Sequence, residues 1–407
     1  MKDNKPDIRF EGFEEAWEEK QLKDLVNYSS TGIRVCDCDN SGKYELYDAN
    51  EVIGKINSYV SDASFISIIK DGSGVGRVRL MPGYTSCIGT MGCLTSKDDN
   101  DINFIFSQLQ TKDFSKHIIS GAIPHVYFRD YGEDSSNVPK PAEQEKVGEF
   151  FRNLDELIEA KEQELEKLRH IKLALLGKMF PSDEPDNANW GGYNRLINSG
   201  LLMRHNLEIL PSRPNTPAIR FRGFTEPWEL KSFRDFGYVS MCKRILKSQT
   251  STKGDVPFFK IGTFGNIPDS FISYDLYSEY SQKYPFPRKG DILISAAGTI
   301  GRVVEYDGQK AYFQDSNIVW LNHNDDLDNS FLKILYSIVH WNGLEGSTLK
   351  RLYNNNLLDT TFYIPSPNEQ KKIGEFFKEQ DDNIANAQLQ IIKLRNIKQA
   401  LMEKMFA

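Results

Sequence analysis

Two forty-residue stretches place their apolar residues at alternating spacings of three and four. In the first, 141–180, the line runs through Val147, Phe151, Leu154, Ile158, Lys161, Leu165 and Leu168, then shifts step to Ile171, Leu175 and Met179. In the second, 367–406, it runs through Ile373, Phe377, Gln380, Ile384, Ala387, Ile391 and Leu394, then Ile397, Leu401 and Met405. Glu, Lys and Gln fill the positions between, which is the heptad seam of a long helix. Each stretch opens with a proline and then a Glu-Gln pair, read here as a helix-start signal, and Pro181 stops the first. About 38 residues at 1.5 Å each make a rod of roughly 57 Å. Such a rod cannot bury its seam alone. The nearest partner is its own twin, so the two helices are expected to pack lengthwise; a coiled-coil dimerisation tail is the other reading.

The two stretches match at 20 of 40 positions without a gap. One inserted residue would rotate every later side chain by about 100°, so a gap-free match constrains helix length. A second pair of anchors lies further forward: "IRFEGFEEAWE" (8–18) and "IRFRGFTEPWE" (219–229) share 8 of 11 positions. A third match is "SIIKDGSGVGRV" against "ILISAAGTIGRV". The copies lie 211 positions apart at the front anchor, 225 at this glycine-arginine match and 226 at the helix. The chain is therefore an internal repeat whose second middle block is about 15 residues longer, with nearly all of the difference falling between positions 25 and 68 of the first copy. Beyond the anchors the middles look unrelated.

Both middles read as α/β. In the first, "ASFISIIKDG" and "GRVRLM" are strands around a glycine turn and "DINFIFSQLQT" is a helix. In the second, "GDVPFFKIGTFG", "KGDILISAAGT", "IGRVVEYDG" and "SNIVWLN" are strand-like, and "DNSFLKILYSIVHW" is helical by spacing. The Pro-, Asn- and Gly-bearing stretch 181–216 reads as a linker, with a short-helix candidate in "LINSGLLMRHNLEIL". The expected organisation is a first domain at 1–140, a helix at 141–180, the linker at 181–216, a second domain at 217–366 and a helix at 367–407.

Composition narrows the function. With 407 residues, two or three domains with their own cores are expected. No leader and no apolar run of membrane-spanning length are read, and five cysteines are not a disulfide framework, so a reducing cytoplasm is expected. A net charge of −7 argues mildly against a stand-alone nucleic-acid binder, although a total can hide a local basic face. The glycines of "GSGVG" precede a β-like "RVRL", which favours a hairpin over a phosphate loop. Cys36 and Cys38 lack a second pair of ligands for zinc. Asp7 with Glu18, Glu19 and Lys20 imitates a metal-nuclease pattern, but the repeat keeps only Glu229 and Lys231 and carries Ala218 at the Asp position. No amino-methyltransferase loop and no nucleotide-binding G-x4-G-K-S/T stretch is present. Trp17 and Trp228, with Phe10, Phe13, Phe221 and Phe224, read as core or partner-facing aromatics of the repeated frame.

Taken together, "IRFEGFEEAWEEKQLKDL" and "IRFRGFTEPWELKSFRDF", the two "EQ…GEFF…LR.IK.AL..KMF" helices and "GDILISAAGTIGRV" resemble the specificity subunit of type I restriction-modification enzymes. The resemblance covers nearly the whole chain except 181–216. It implies two α/β target recognition domains, each reading one half of a bipartite sequence in double-stranded DNA. It also implies two long antiparallel helices that set the gap, and an internal pseudo-twofold repeat that matches the local twofold of the duplex. It further implies two methyltransferase subunits as partners, and restriction subunits with motor and nuclease activity. S-adenosylmethionine, ATP and Mg would then sit on those partners, this chain would hold no catalytic residue and no metal, and no membrane would be involved. An enzyme with its own nuclease or methyltransferase site, or a coiled-coil adaptor with no DNA role, are the alternatives.

DNA-contact candidates follow from basic residues interleaved with aromatics. In the second middle these are Lys243, Arg244, Lys247, Lys253 and Lys260, and in the first Lys70, Arg77 and Arg79, with Arg34 on the preceding loop. Lysines suit phosphate, and arginines suit phosphate or guanine edges; a solvated charged face is the bland reading. Arg77 and Arg302 occupy equivalent repeat positions, where DNA contact and a structural role are equally open.

Overall fold

The computed structural model describes residues 5–39, 41–181, 201–210, 213, 215–343 and 351–406. The chain divides into two compact units, Met1–Glu164 with Ala387–Ala407, and Leu165–Asn386. Both unit boundaries fall inside the long helices, which span Pro141–Lys178 and Pro367–Met405. Each helix therefore begins in one unit and ends in the other.

In the first unit, strand Glu18–Gln21 pairs antiparallel with Ser135–Val138. A four-stranded antiparallel sheet runs in the order Val26–Ser30, Met91–Ser96, Phe65–Ile69, Val78–Met81. A three-stranded sheet runs Val52–Ile56, Tyr44–Tyr47, Ser86–Cys87, its last pair parallel. The second unit repeats this strand for strand. Glu229–Ser232 pairs with Thr361–Ile364. Four antiparallel strands run Gly237–Met241, Ile318–His323, Ile292–Ser295, Val303–Glu305. Three more run Phe271–Ile272, Val256–Phe259, Tyr312–Phe313, again with the last pair parallel. The middles are thus unrelated in sequence but identical in topology. The central strands Phe65–Ile69 and Ile292–Ser295 are buried at every position, so they need only small or apolar side chains that pack, and many residues satisfy that. The extra length of the second middle lies in two connections: a loop at 260–270 where the first has only 48–51, and a link at 273–291, carrying the ten-residue helix Tyr274–Lys283, where the first has 57–64.

The helices Ile102–Gln110 and Asn329–Ile338 appear where the 3.6-residue spacing places them, capped by Asp101 and Asp328. Of the stretch expected to be a linker, 182–200, 211, 212 and 214 lie outside the described residues. Its described part is ordered into the second unit: strand Leu207–Ile209 pairs with Ile219–Phe221, and Leu201 and Leu207 join the core.

The repeated motifs explain themselves in side-chain contacts. Arg9 of the first front anchor donates through Nε and Nη2 to both oxygens of Glu143, each at 2.7 Å. Arg220 of the second does the same to Glu369, at 2.7 and 2.8 Å, with both side chains at most 2% exposed. The neighbouring glutamines reach sideways. Gln144 Oε1 accepts from the backbone N of Asp101 at 3.0 Å, and Gln370 Oε1 from that of Asp328 at 2.9 Å. The Glu-Gln pair opens each helix, as read, and is also a tertiary clamp: Glu holds the front anchor and Gln holds the short helix. The glycine of each "GEFF" lets the helices touch. A Cβ on Gly148 would lie 2.1 Å from Asp101 Oδ1, and one on Gly374 only 1.8 Å from Ser330 Oγ.

Each unit's core is closed by the end of the helix that began in the other unit. In the first, Phe406 stacks on Phe151 at 5.6 Å and meets Phe104 at 5.5 Å, with Met402 and Met405 buried beside them. In the second, Phe180 stacks on Phe331 and meets Trp228, both at 5.7 Å, above Leu175 and Met179. Trp17 and Trp228 are buried frame residues, 4% and 2% exposed. Within each unit the two helix segments run antiparallel. Asp155 and Glu162 meet Lys398 and Arg395 in the first, and Lys172 meets Asp381 in the second. Lys398–Asp155 and Lys172–Asp381 are the same pair with the copies' roles exchanged. The seam holds except at one step: Ile397 is 51% exposed, and Lys398 takes its slot, its stem covered and its ammonium 2.6 Å from Asp155.

Glu369→Ala strands a buried guanidinium and should cost about 3–5 kcal/mol of stability, while R220M/E369L together should recover most of it in chemical denaturation. Gly374→Ala should cost about 1–3 kcal/mol by overpacking. Gly177→Ala, whose Cβ meets nothing within 4 Å, should instead stabilise its helix by about 0.5–1 kcal/mol.

Candidate nucleic-acid interface

The glycine-arginine match builds a hairpin in each four-stranded sheet. In the first unit Gly76 N donates to Ile69 O at 2.8 Å and Ile69 N to Arg77 O at 3.0 Å, with Gly72, Gly74 and Gly76 all at positive φ. In the second, Gly301 N donates to Ser295 O and Ser295 N to Arg302 O. A strand follows the glycines in both, so no helix N-terminus faces them and the loop is not a phosphate cradle.

The arginines at these hairpins serve the fold. Arg302 Nη1 donates to Phe264 O at 2.8 Å, anchoring the loop 260–270. Arg77 Nη2 donates to Ala49 O and, at 2.8 Å, to Asn50 Oδ1. Arg79 Nη1 donates to Asn50 O at 3.2 Å, and its guanidinium lies 5.0 Å from the Tyr47 ring centre. Arg34 turns onto Asp37, and Arg244 onto Asp315 at 2.8 Å. The backbone N–H and guanidinium of Arg34 hold the Asp37 carboxyl below its ordinary range. Lys260 pairs with Asp269 at 2.9 Å and does the same there. Lys70 lies 3.9 Å from Asp71.

The lysines differ. Lys247 and Lys253 are exposed and make no ion pair among the described residues. The Lys243 ammonium sits 5.1 Å over the Tyr284 ring, beside Lys283. Further cation–ring pairs escaped the sequence reading, among them Lys310 over Tyr274 at 4.5 Å and Lys43 over Tyr44 at 5.1 Å. Adjacent Lys-Tyr pairs in the sequence could have flagged Lys43 and Lys283; nothing local could have joined Lys310 to Tyr274. Such pairs keep a cation at the surface on an aromatic support that a phosphate or base can share.

Other chemistry is sparse. Among the described residues no group of three His, Cys, Asp or Glu is placed to hold a metal ion, and no helix is long and apolar enough to cross a membrane. Glu18 pairs with Lys20 and Glu229 with Lys231, an exposed pair shared by both frames. Cys87 and Cys93 are buried as free thiols with their sulfurs 2.8 Å apart. Burial pushes the Cys242 thiol up to about 12, away from nucleophilic reactivity.

A family model described as the type I restriction modification DNA specificity domain matches residues 14–170 and again 225–395, one copy per repeat. A Haemophilus influenzae protein assigned as a type I restriction enzyme specificity subunit is 56% identical over 140 residues. That match covers 34% of this chain and spans 36% of the relative's length. The crystal structure of a type I restriction-modification S subunit from M. genitalium superposes with a TM-score of 0.65 at 16% identity, covering 99% of both chains, and so shares the fold. With the family's domain matched twice, on the same two copies that the anchors, sheets and clamps define, the chain belongs to the specificity subunits of type I restriction-modification systems.

Proposed function

We propose that each unit reads one half of a bipartite sequence in double-stranded DNA. On this reading the long helices fix the gap between the halves and dock two methyltransferase subunits, to which restriction subunits add. The chain itself is non-catalytic. S-adenosylmethionine, ATP and Mg act on the partners, in the cytoplasm. The observation that carries this is the pairing of one mount and one sheet topology, used twice, with unlike surface residues on each. A scaffold that must present two different readers at a set separation needs the first to be constant and the second to vary.

Surface chemistry supports the reading. Lys247, Lys253, Lys283 and Lys310 give the second unit cations in reach of phosphates despite the chain's net charge. Leu157, Leu173, Leu389 and Ile392 on the long helices are 46–68% exposed, apolar surface that a docked protein can cover.

Replacing residues 237–360 with the matching block of another family member should change one half of the modified sequence and leave the other intact. Change in both halves, or in neither, contradicts modular reading. Lys247→Ala and Lys253→Ala should each lower the salt dependence of DNA binding by a slope of about 1 without altering thermal stability. Arg302→Ala, by contrast, should cost about 2 kcal/mol of stability, as a lost charged hydrogen bond does.

A further inference from the structure

Three connections meet at one corner of the first unit's small sheet. The entry to strand Tyr44–Tyr47 brings Lys43 and Tyr44, the link from Val52–Ile56 to Phe65–Ile69 brings Tyr59, and the link from Val78–Met81 to Ser86–Cys87 brings Tyr84. The Tyr44 and Tyr59 rings are 4.9 Å apart, Tyr59 and Tyr84 5.3 Å, and Tyr44 and Tyr84 6.4 Å. Yet Tyr59 and Tyr84 remain 44% and 54% exposed. Tyr84 is also held at φ 57°, a left-handed conformation unfavourable for a bulky side chain. The two links enforce it: Tyr84 N donates to Ser61 O at 2.8 Å and Val60 N to Thr85 O at 2.9 Å. A Cβ on the neighbouring Gly83 would lie 2.2 Å from Asp62 O. The cluster is thus exposed aromatic surface held at a strained backbone position, and such strain gathers where a ligand is met.

The same three connections meet in the second unit. The link from Phe271–Ile272 to Ile292–Ser295 carries Tyr274, which is 46% exposed. The link from Val303–Glu305 to Tyr312–Phe313 carries Lys310, over the Tyr274 ring. At the entry to Val256–Phe259, Asp255 accepts from Tyr274 N at 3.2 Å. Topology makes the two corners equivalent, and side chains make them chemically unlike: three tyrosines with one lysine in the first, one tyrosine with a lysine and an aspartate in the second.

We infer that this corner carries the base-discriminating contacts of each unit, through Tyr44, Tyr59 and Tyr84 in the first and Tyr274 with Lys310 in the second. The ligand is the base edges of duplex DNA, so the inference rests on the function proposed above. Tyrosine suits the task. Its ring gives apolar area to thymine methyl groups and its hydroxyl bonds base edges, while only two side-chain torsions are frozen on binding. Lysine over a ring presents a cation to guanine or phosphate. Arg77, Arg79 and Arg302, engaged within the fold, are not needed for reading.

The experiment selects duplexes from a randomised library with the full chain assembled on its methyltransferase partners. The parent should return a two-part motif; if it returns none, the proposed function fails before the corner is at issue. Y59A/Y84A should lose discrimination about ten- to a hundredfold at one to three adjacent base pairs of one half-motif, with the other half intact. K310A should affect the opposite half. Tyr84→Gly should fold at least as stably as the parent, because glycine takes φ 57° freely, and still lose discrimination in the first unit's half. Both half-motifs surviving the alanine and glycine variants overturns the inference. So does a Tyr84→Gly chain that loses stability but keeps its motif, or variants that only weaken assembly, which would assign the corner to a protein partner.

Discussion

At the root of each long helix a guanidinium lies against a carboxylate in a bidentate pair, buried fully in the second unit and nearly so in the first. The charges are taken out of water and paired with each other, with Arg220 Nη2 also donating to Glu226 O at 2.6 Å, so neither partner can be changed alone without leaving the other's charge unpaired. The pair joins the front anchor to the helix, and the adjacent glutamine joins the helix to the short helix of the same unit. Strand, short helix and long helix are thereby locked at one point, and the glycine of "GEFF" lets them approach closely there. This clamp accounts for the fixed wording of both anchors.

With the attachment points settled by the clamp, the sheets between them need only keep their central strands buried on both faces. The two middles have done so while losing their resemblance to one another. Seven strands and the short helix recur in the same order, yet the connections differ in length and chemistry. Change concentrates where backbone groups face water and where insertion costs little. The helix Tyr274–Lys283 is such an insertion. It sits in a connection that in the first unit is a short loop carrying Tyr59.

The long helices, the hairpins and the short helices were legible because each depends on a periodicity or a turn chemistry written over neighbouring residues. So was the length difference between the middles, and its confinement to one region. The shared topology was not legible, because strand order is decided by pairings between distant segments and leaves no local mark. Glu143 and Gln144 do stand in the first turn of their helix, as read, but their tertiary contacts were hidden for the same reason: their partners, Arg9 and Asp101, are far away in sequence. Ile397 was placed on the seam by its apolar character, but a lysine with an aliphatic stem and an ion partner fills that slot. The part played by the hairpin arginines was left open because charge can be read from a sequence, whereas a carbonyl such as that of Phe264, to which Arg302 donates, cannot.

The crossing of each helix from one unit into the other bears on how the chain acquires its structure. Asp155 meets a lysine 243 positions further on, and the aromatic end that seals the first core emerges after the whole second unit. During synthesis the first unit must wait with its apolar floor open until that end arrives. A ribosome-bound intermediate of this protein is therefore a half-closed shell, exposed to chaperones for most of the time needed to make the rest of the chain.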